Sequence, residues 1–189
     1  YHSSSYSPAL SANGRYVAFG SDAPNLVPND TNDVPDIFVH DRQTGSTTRV
    51  SVNSAGGQGN NSSTPEYYSL ALSADGRYVA FDSWASNLVA NDTNGRADIF
   101  VHDRQTGSTT RVSVKAQAGK VAGGGGDPDS FAPALSADGR YVAFASDASN
   151  LVPNDTNNVS DIFVHDRQTG STTRASIDSP DGESGGGGN

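Results

Sequence analysis

Apolar residues in this chain come in short runs separated by polar, turn-forming stretches, and the runs recur. Tyr16-Val17-Ala18-Phe19 and Ile37-Phe38-Val39 are apolar at successive positions, whereas Thr47 to Val52 is β-branched and partly polar. Runs this short, bounded by Gly, Asn, Asp and Ser, predict strands rather than helices. The pair Asn13-Gly14, with its counterpart Asp75-Gly76, is a tight-hairpin signal. It joins a short strand around Leu10 to a second from Arg15 to Ser21. Asp36 to Arg42 predicts a third strand and, across Gln43-Thr44-Gly45, Thr47 to Val52 a fourth. The unit reads as four antiparallel strands whose middle pair is buried on both faces, with Val17, Phe19, Ile37 and Val39 in the core.

The unit occurs three times. SANGRYVAF at 11–19 returns as SADGRYVAF at 73–81 and 136–144, and DIFVHDRQTGSTTR stands at 36–49, 98–111 and 161–174. The step is 62 residues from Arg15 to Arg77 and 63 from Arg77 to Arg140. One such sheet cannot hide both faces alone, but stacked copies can. The predicted fold class is therefore all-β, with three four-stranded antiparallel propeller blades. The expected division is blade one over 1–52, linker and blade two over 53–114, linker and blade three over 115–177, and a glycine-rich tail over 178–189.

The combination S-A-D-G-R-Y-V-A-F and D-I-F-V-H-D-R-Q-T-G resembles the bacterial TolB-type (WD40-like) propeller repeat, and the resemblance covers all three units. It implies a six-bladed ring, often extracytoplasmic, that binds partners or accompanies enzymes. It does not imply one chemistry. The units are longer than the about 40–45 residues of an ordinary blade; the excess falls in Asp22 to Pro35 and in Asn53 to Ser69. Three blades also fall short of the roughly 4 to 8 that close a ring. Joining Asn189 to Tyr1 would put Arg15 64 residues after Arg140, so the series continues across the ends. This predicts either a window of a longer array or a subunit that meets copies of itself.

Charge narrows the partners. The formal net charge is −9 with only 12 Lys plus Arg, so the basic footprint for nucleic acid or an anionic membrane is missing. No apolar run approaches the roughly 20 residues of a membrane-spanning helix. The absence of cysteine excludes disulfides, thiol nucleophiles and thiolate metal sites. Nineteen Asp stand against two Glu, a turn-forming rather than helix-forming choice of acid.

The strongest candidate site is the loop N-D-T-N-x-x-x-D, which supplies Asp30, Asn32 and Asp36, then Asp92, Asn94 and Asp98, then Asp155, Asn157 and Asp161. Oxygen side chains at this spacing suit calcium, which takes oxygen ligands in flexible geometry. Asp92 to Asp98 is similar to the loops of thrombospondin type 3 repeats. The alternative is an Asx-turn whose last Asp pins the loop to the third strand. His40, His102 and His165 precede Asp-Arg pairs, but triplication argues for hydrogen bonds across the ladder or between blades rather than catalysis. Asp41, Arg42 and their copies predict inter-strand or inter-blade pairs. Gly182 to Gly186 matches G-x-S-x-G without the strand and helix that motif needs, and Gly123 to Gly126 reads as a flexible linker. Trp84 stands where the other units have Asp22 and Asp147, which predicts local packing, with a sugar or partner contact as the alternative.

The sequence thus points to a non-enzymatic structural or interaction protein, secreted, periplasmic or at the cell surface. Its partners would be copies of itself or further propeller repeats, with calcium as stabiliser and without nucleic acid or membrane insertion. The alternative is the propeller portion of a larger enzyme or of a periplasmic partner-binding protein.

Overall fold

The computed structural model describes residues 3–63, 69–114 and 129–177. They form three four-stranded antiparallel sheets. The first holds β1 (Ser5–Leu10), β2 (Tyr16–Ser21), β3 (Asp36–Asp41) and β4 (Ser46–Arg49). The second holds β5 (Leu70–Leu72), β6 (Tyr78–Ser83), β7 (Asp98–Asp103) and β8 (Ser108–Arg111), and the third β9 (Ser130–Leu135), β10 (Tyr141–Ser146), β11 (Asp161–Asp166) and β12 (Ser171–Arg174). Each sheet runs in sequence order, and the first strands β1, β5 and β9 adjoin one another.

The second-to-third and third-to-fourth strand registers are identical from sheet to sheet, whereas the first ladder has a bulge in sheets one and three and none among the described residues of sheet two. Phe19 faces Phe38, Phe81 faces Phe100 and Phe144 faces Phe163, with ring centroids about 6 Å apart. The β1–β2, β5–β6 and β9–β10 turns close alike. Gly76 amide donates to Ser73 carbonyl at 2.9 Å, and the Asp75 carboxylate accepts from Ser73 Oγ and from the Arg77 amide. Gly76 sits at φ +75°, where its missing Cβ matters.

The expected strand bounds shift at four points, by one residue at the end of β3 (Asp41) and the start of β4 (Ser46) and for identifiable reasons at the other two. β2 starts at Tyr16 because the Arg15 amide is taken by the Asn13 side chain in the turn. β4 ends at Arg49 rather than Val52, because Ser51 turns its hydroxyl to the Ile37 amide and the Asp36 carboxylate.

The core lies between sheets. At the first junction, sheet one contributes Ala18, Ile37, Val39 and Val50, and sheet two contributes Val79, Phe81, Ala85, Leu88 and Phe100. The second junction repeats this one period later, with Ala80, Ile99, Val101 and Val112 against Val142, Phe144, Ala148, Leu151 and Phe163. Each sheet therefore has a leading face that receives the previous blade and a trailing face that is offered to the next. Of the expected core residues, Ile37 and Val39 are fully buried, whereas Val17 and Phe19, on the leading face of sheet one, are only half-buried.

Candidate functional site

The nine acid-loop residues are brought together three by three, around an arginine that the loop pattern did not include. In sheet one, Arg49 Nη1 lies 2.9 Å from Asp30 Oδ1 and 3.0 Å from Asp36 Oδ2. Asn32 donates its amide to the same Asp36 oxygen at 3.0 Å, and Ser51 Oγ donates to the other. Sheet two repeats this with Arg111, Asp92, Asp98, Asn94 and Ser113, and sheet three with Arg174, Asp155, Asp161, Asn157 and Ser176. The loop is thus tied to the end of the last strand, which explains why each unit ends its fourth strand on Arg. That recurrence was the available signal; it was hidden because Arg49 lies 13 residues from Asp36 and 19 from Asp30.

Two carboxylates and one guanidinium leave this cluster short of positive charge. Burial, with the Asp98 charge next to it, pushes Asp92 up to about 6. Burial, then the Asp36 charge, also raises Asp30. This arrangement suits a guanidinium better than calcium. Arg49 stands between the carboxylates, and Asn32 presents its NH₂ to Asp36 while its oxygen accepts from the Val34 amide, as an Asx-turn does. Among the described residues no three His, Cys, Asp or Glu side chains are grouped to hold a metal ion.

A second cluster occupies the opposite ends of the middle strands. Arg15 Nε and Nη2 meet the two Asp41 oxygens at 2.9 and 2.7 Å, a fork-to-fork pair repeated by Arg77–Asp103 and Arg140–Asp166. The arginine partner holds Asp41, Asp103 and Asp166 well below the usual carboxylate range. Asp41 is therefore an inter-strand partner. Arg42 and its copies act elsewhere. Arg104 stacks 4.4 Å from the Tyr16 ring of the preceding blade while donating to Gly76 carbonyl, and Arg167 stacks 4.3 Å from Tyr78. Tyr16 thus has both Arg15 and Arg104 over its ring and is pressed against Gly76, where an added Cβ would clash with the Tyr16 ring. These cation–π contacts are each worth about 0.5–1 kcal/mol when exposed.

The histidines take the expected bonds across the ladder. His40, His102 and His165 meet Thr47, Thr109 and Thr172 through Nδ1 at 3.0, 2.9 and 3.0 Å. Thr109 Oγ1 in turn donates to the Val52 carbonyl and Thr172 Oγ1 to the Val114 carbonyl, so the pair reaches across the junction. Burial lowers His102 and His165. Trp84 is half-buried, its amide bonded to the Ser62 carbonyl. The G-x-S-x-G match and the Gly123 to Gly126 stretch lie outside the described residues.

No protein-family model matches the sequence, and no curated protein matches it. The fold does match solved propellers. TolB from Acinetobacter baumannii aligns at TM-score 0.51 and 20% identity, covering 90% of this chain and 32% of that one. The β-propeller domain of the trilobed protease from Pyrococcus furiosus aligns at 0.50 and 14%, covering 90% and 41%. A Mycobacterium tuberculosis puromycin-hydrolyzing peptidase aligns at 0.54 and 13%, covering 92% and 21%. The chain therefore spans well under half of each structure. Its fold class is the β-propeller. Its three sheets are propeller blades similar in fold to those of TolB, and no helix among the described residues is long and apolar enough to cross a membrane.

Proposed function

We propose that this chain is a non-enzymatic scaffold of propeller blades, secreted, periplasmic or cell-surface, that acts by presenting blade faces to other proteins. The observation that carries this reading is that the acid-loop, fork and histidine clusters each occur three times in one geometry. An active site is an asymmetric group of residues around one reacting atom, whereas bonds that recur in every blade and end on strand backbone maintain blades.

The experiment is a turnover assay with chromogenic ester, peptide, glycoside and phosphate substrates, run beside Asp98→Asn and His102→Ala. The expected result is no turnover above buffer, with both variants altering only the melting temperature. Saturable turnover that one of these variants abolishes would overturn the scaffold reading. A second reading, the propeller portion of a larger enzyme, is supported by the alignment to the propeller domain of a protease. In that case catalytic residues lie outside this sequence.

A further inference from the structure

Identical residues are buried at one position of the repeat and bare at another, according to whether a neighbouring blade is present. Ile37 and Ile99 are fully buried on trailing faces, whereas their counterpart Ile162 is 44% exposed. On leading faces Leu88 and Leu151 are 1% exposed, and their counterpart Leu26 is only half-buried. The polar half of the junction is split in the same way. Tyr141 has Arg140 on its ring and is 41% exposed, while a Cβ on Gly14 would meet Arg42 where those on Gly76 and Gly139 would meet a tyrosine ring.

We propose that the trailing face of sheet three docks on the leading face of sheet one of a second copy of this chain, closing two chains head to tail into a ring. This rests on the scaffold reading. The occupant follows from continuity, because the two junctions inside the chain already show this interface twice. The new one forms by the same contacts. Tyr141 seats against Gly14 beneath Arg42, as Tyr16 does against Gly76 beneath Arg104. The Ala137 amide donates to Ala12 carbonyl, as Ala12 and Ala74 amides donate to Ala74 and Ala137 carbonyls at 2.9 Å. Thr47 hydroxyl donates to Ile177 carbonyl, as Thr109 does to Val52. The three described sheets of each of two copies make six, within the about 4 to 8 blades with which propellers close.

Light scattering of the 189-residue chain should give a concentration-dependent mass that reaches twice 19.5 kDa. Ile162→Arg should weaken association about thirtyfold or more, the loss expected of a buried hot spot. Since Ile162 is partly exposed in the single chain, that variant should keep its β-sheet circular dichroism; Tyr141→Ala provides a second, milder break. The chain has no cysteine, so Ala12→Cys and Ala137→Cys copies can be mixed with a short thiol cross-linker. A cross-link should form in the mixture and not in Ala12→Cys alone. A folded monomer at all concentrations, another multiple of the mass, or cross-linking of Ala12→Cys with itself would each overturn the docking. A folded monomer without turnover leaves the scaffold reading standing, whereas turnover removes that reading whatever the mass.

Discussion

The two filled junctions and the two open faces are built from the same repeated motifs, and the positions they share differ in whether another sheet is present. At the filled junctions Phe81 and Phe144 are at most 1% exposed; at the open leading face their counterpart Phe19 is half-buried. Composition and local pattern are constant in this comparison. Burial here is therefore a property of the stack, not of the blade. A blade's ladder pairs within the blade but its core is completed by its neighbours, as expected of a repeat whose stability is shared between units and interfaces.

The sharpest way to break that comparison is Phe81→Ala against Phe19→Ala in urea denaturation. Phe81→Ala should cost about 3–5 kcal/mol, as deletion of a buried phenylalanine does, and Phe19→Ala markedly less at protein concentrations too low for association. Equal losses would mean that sheet one is covered. The trailing face gives the same test at smaller amplitude. Ile99→Ala should cost about 2–5 kcal/mol, and Ile162→Ala within about 1 kcal/mol at protein concentrations too low for association.

Glycines separate the junction from the turn. Gly14 and Gly76 both lie at positive φ, +69° and +75°, so alanine strains either turn by about 1 kcal/mol. In the unassociated chain only Gly76→Ala of the two also drives a Cβ into a tyrosine ring, which should add about 1–3 kcal/mol of overpacking at protein concentrations too low for association. Thermal melts that drop equally for both variants would show that the tyrosine does not depend on the close approach.

Acid should distinguish the two charge clusters. Asp41, Asp103 and Asp166 are depressed by their arginines, so their stabilisation is present above the ordinary value of 3.8 and is lost as pH falls below it. Arg77→Gln should flatten the fall in melting temperature over that range. Between 6.5 and 3.8 two effects oppose each other. His102 and His165, lowered by burial, lose stability as pH falls below 6.5, while Asp92, raised to about 6, loses it as pH rises through that value. Asp92→Asn should therefore uncover the histidine slope. A slope unchanged by the variant would place the compensation elsewhere.

The smallest expected effect is that of calcium. With Arg49, Arg111 and Arg174 between the carboxylates, millimolar calcium should leave the melting temperature unchanged. A bound ion at ten times its dissociation constant would instead add about 1.4 kcal/mol per site. A rise reversed by chelator, and cut by about a third in Asp98→Asn, would establish the metal reading.

What could be read in the sequence was local or periodic. The Asn-Gly and Asp-Gly turns, the doubly apolar middle strands and the 62-residue step specified three sheets, and each of these is a short-range signal. The acid loops were visible as oxygen-rich, but their cation was not. Arg49 comes from the end of another strand, and its pairing with Asp30 depends on how the loop folds back. The Tyr16 stack was equally hidden, because Arg104 lies in the next unit and only the interblade spacing brings its plane over the ring. Nor could the sequence distinguish Ile37 from Ile162, which occupy identical DIFVHD contexts and differ only in what lies beyond the sheet.

The bond from threonine to the neighbouring blade also fixes where a proton sits. Thr109 has one hydroxyl hydrogen and gives it to Val52 carbonyl, so it can only accept from His102. The neutral imidazole must then be the Nδ1–H tautomer, with Nε2 as the basic nitrogen. When the ring takes up a proton it does so at Nε2, and the Nδ1–H···Oγ bond survives. The acid sensitivity of His102 thus arises from placing a charge in a buried position, and the hydrogen-bonded link between blades should outlast the titration. Nitrogen-15 spectra that follow the two ring nitrogens separately would show Nδ1 protonated on both sides of the transition.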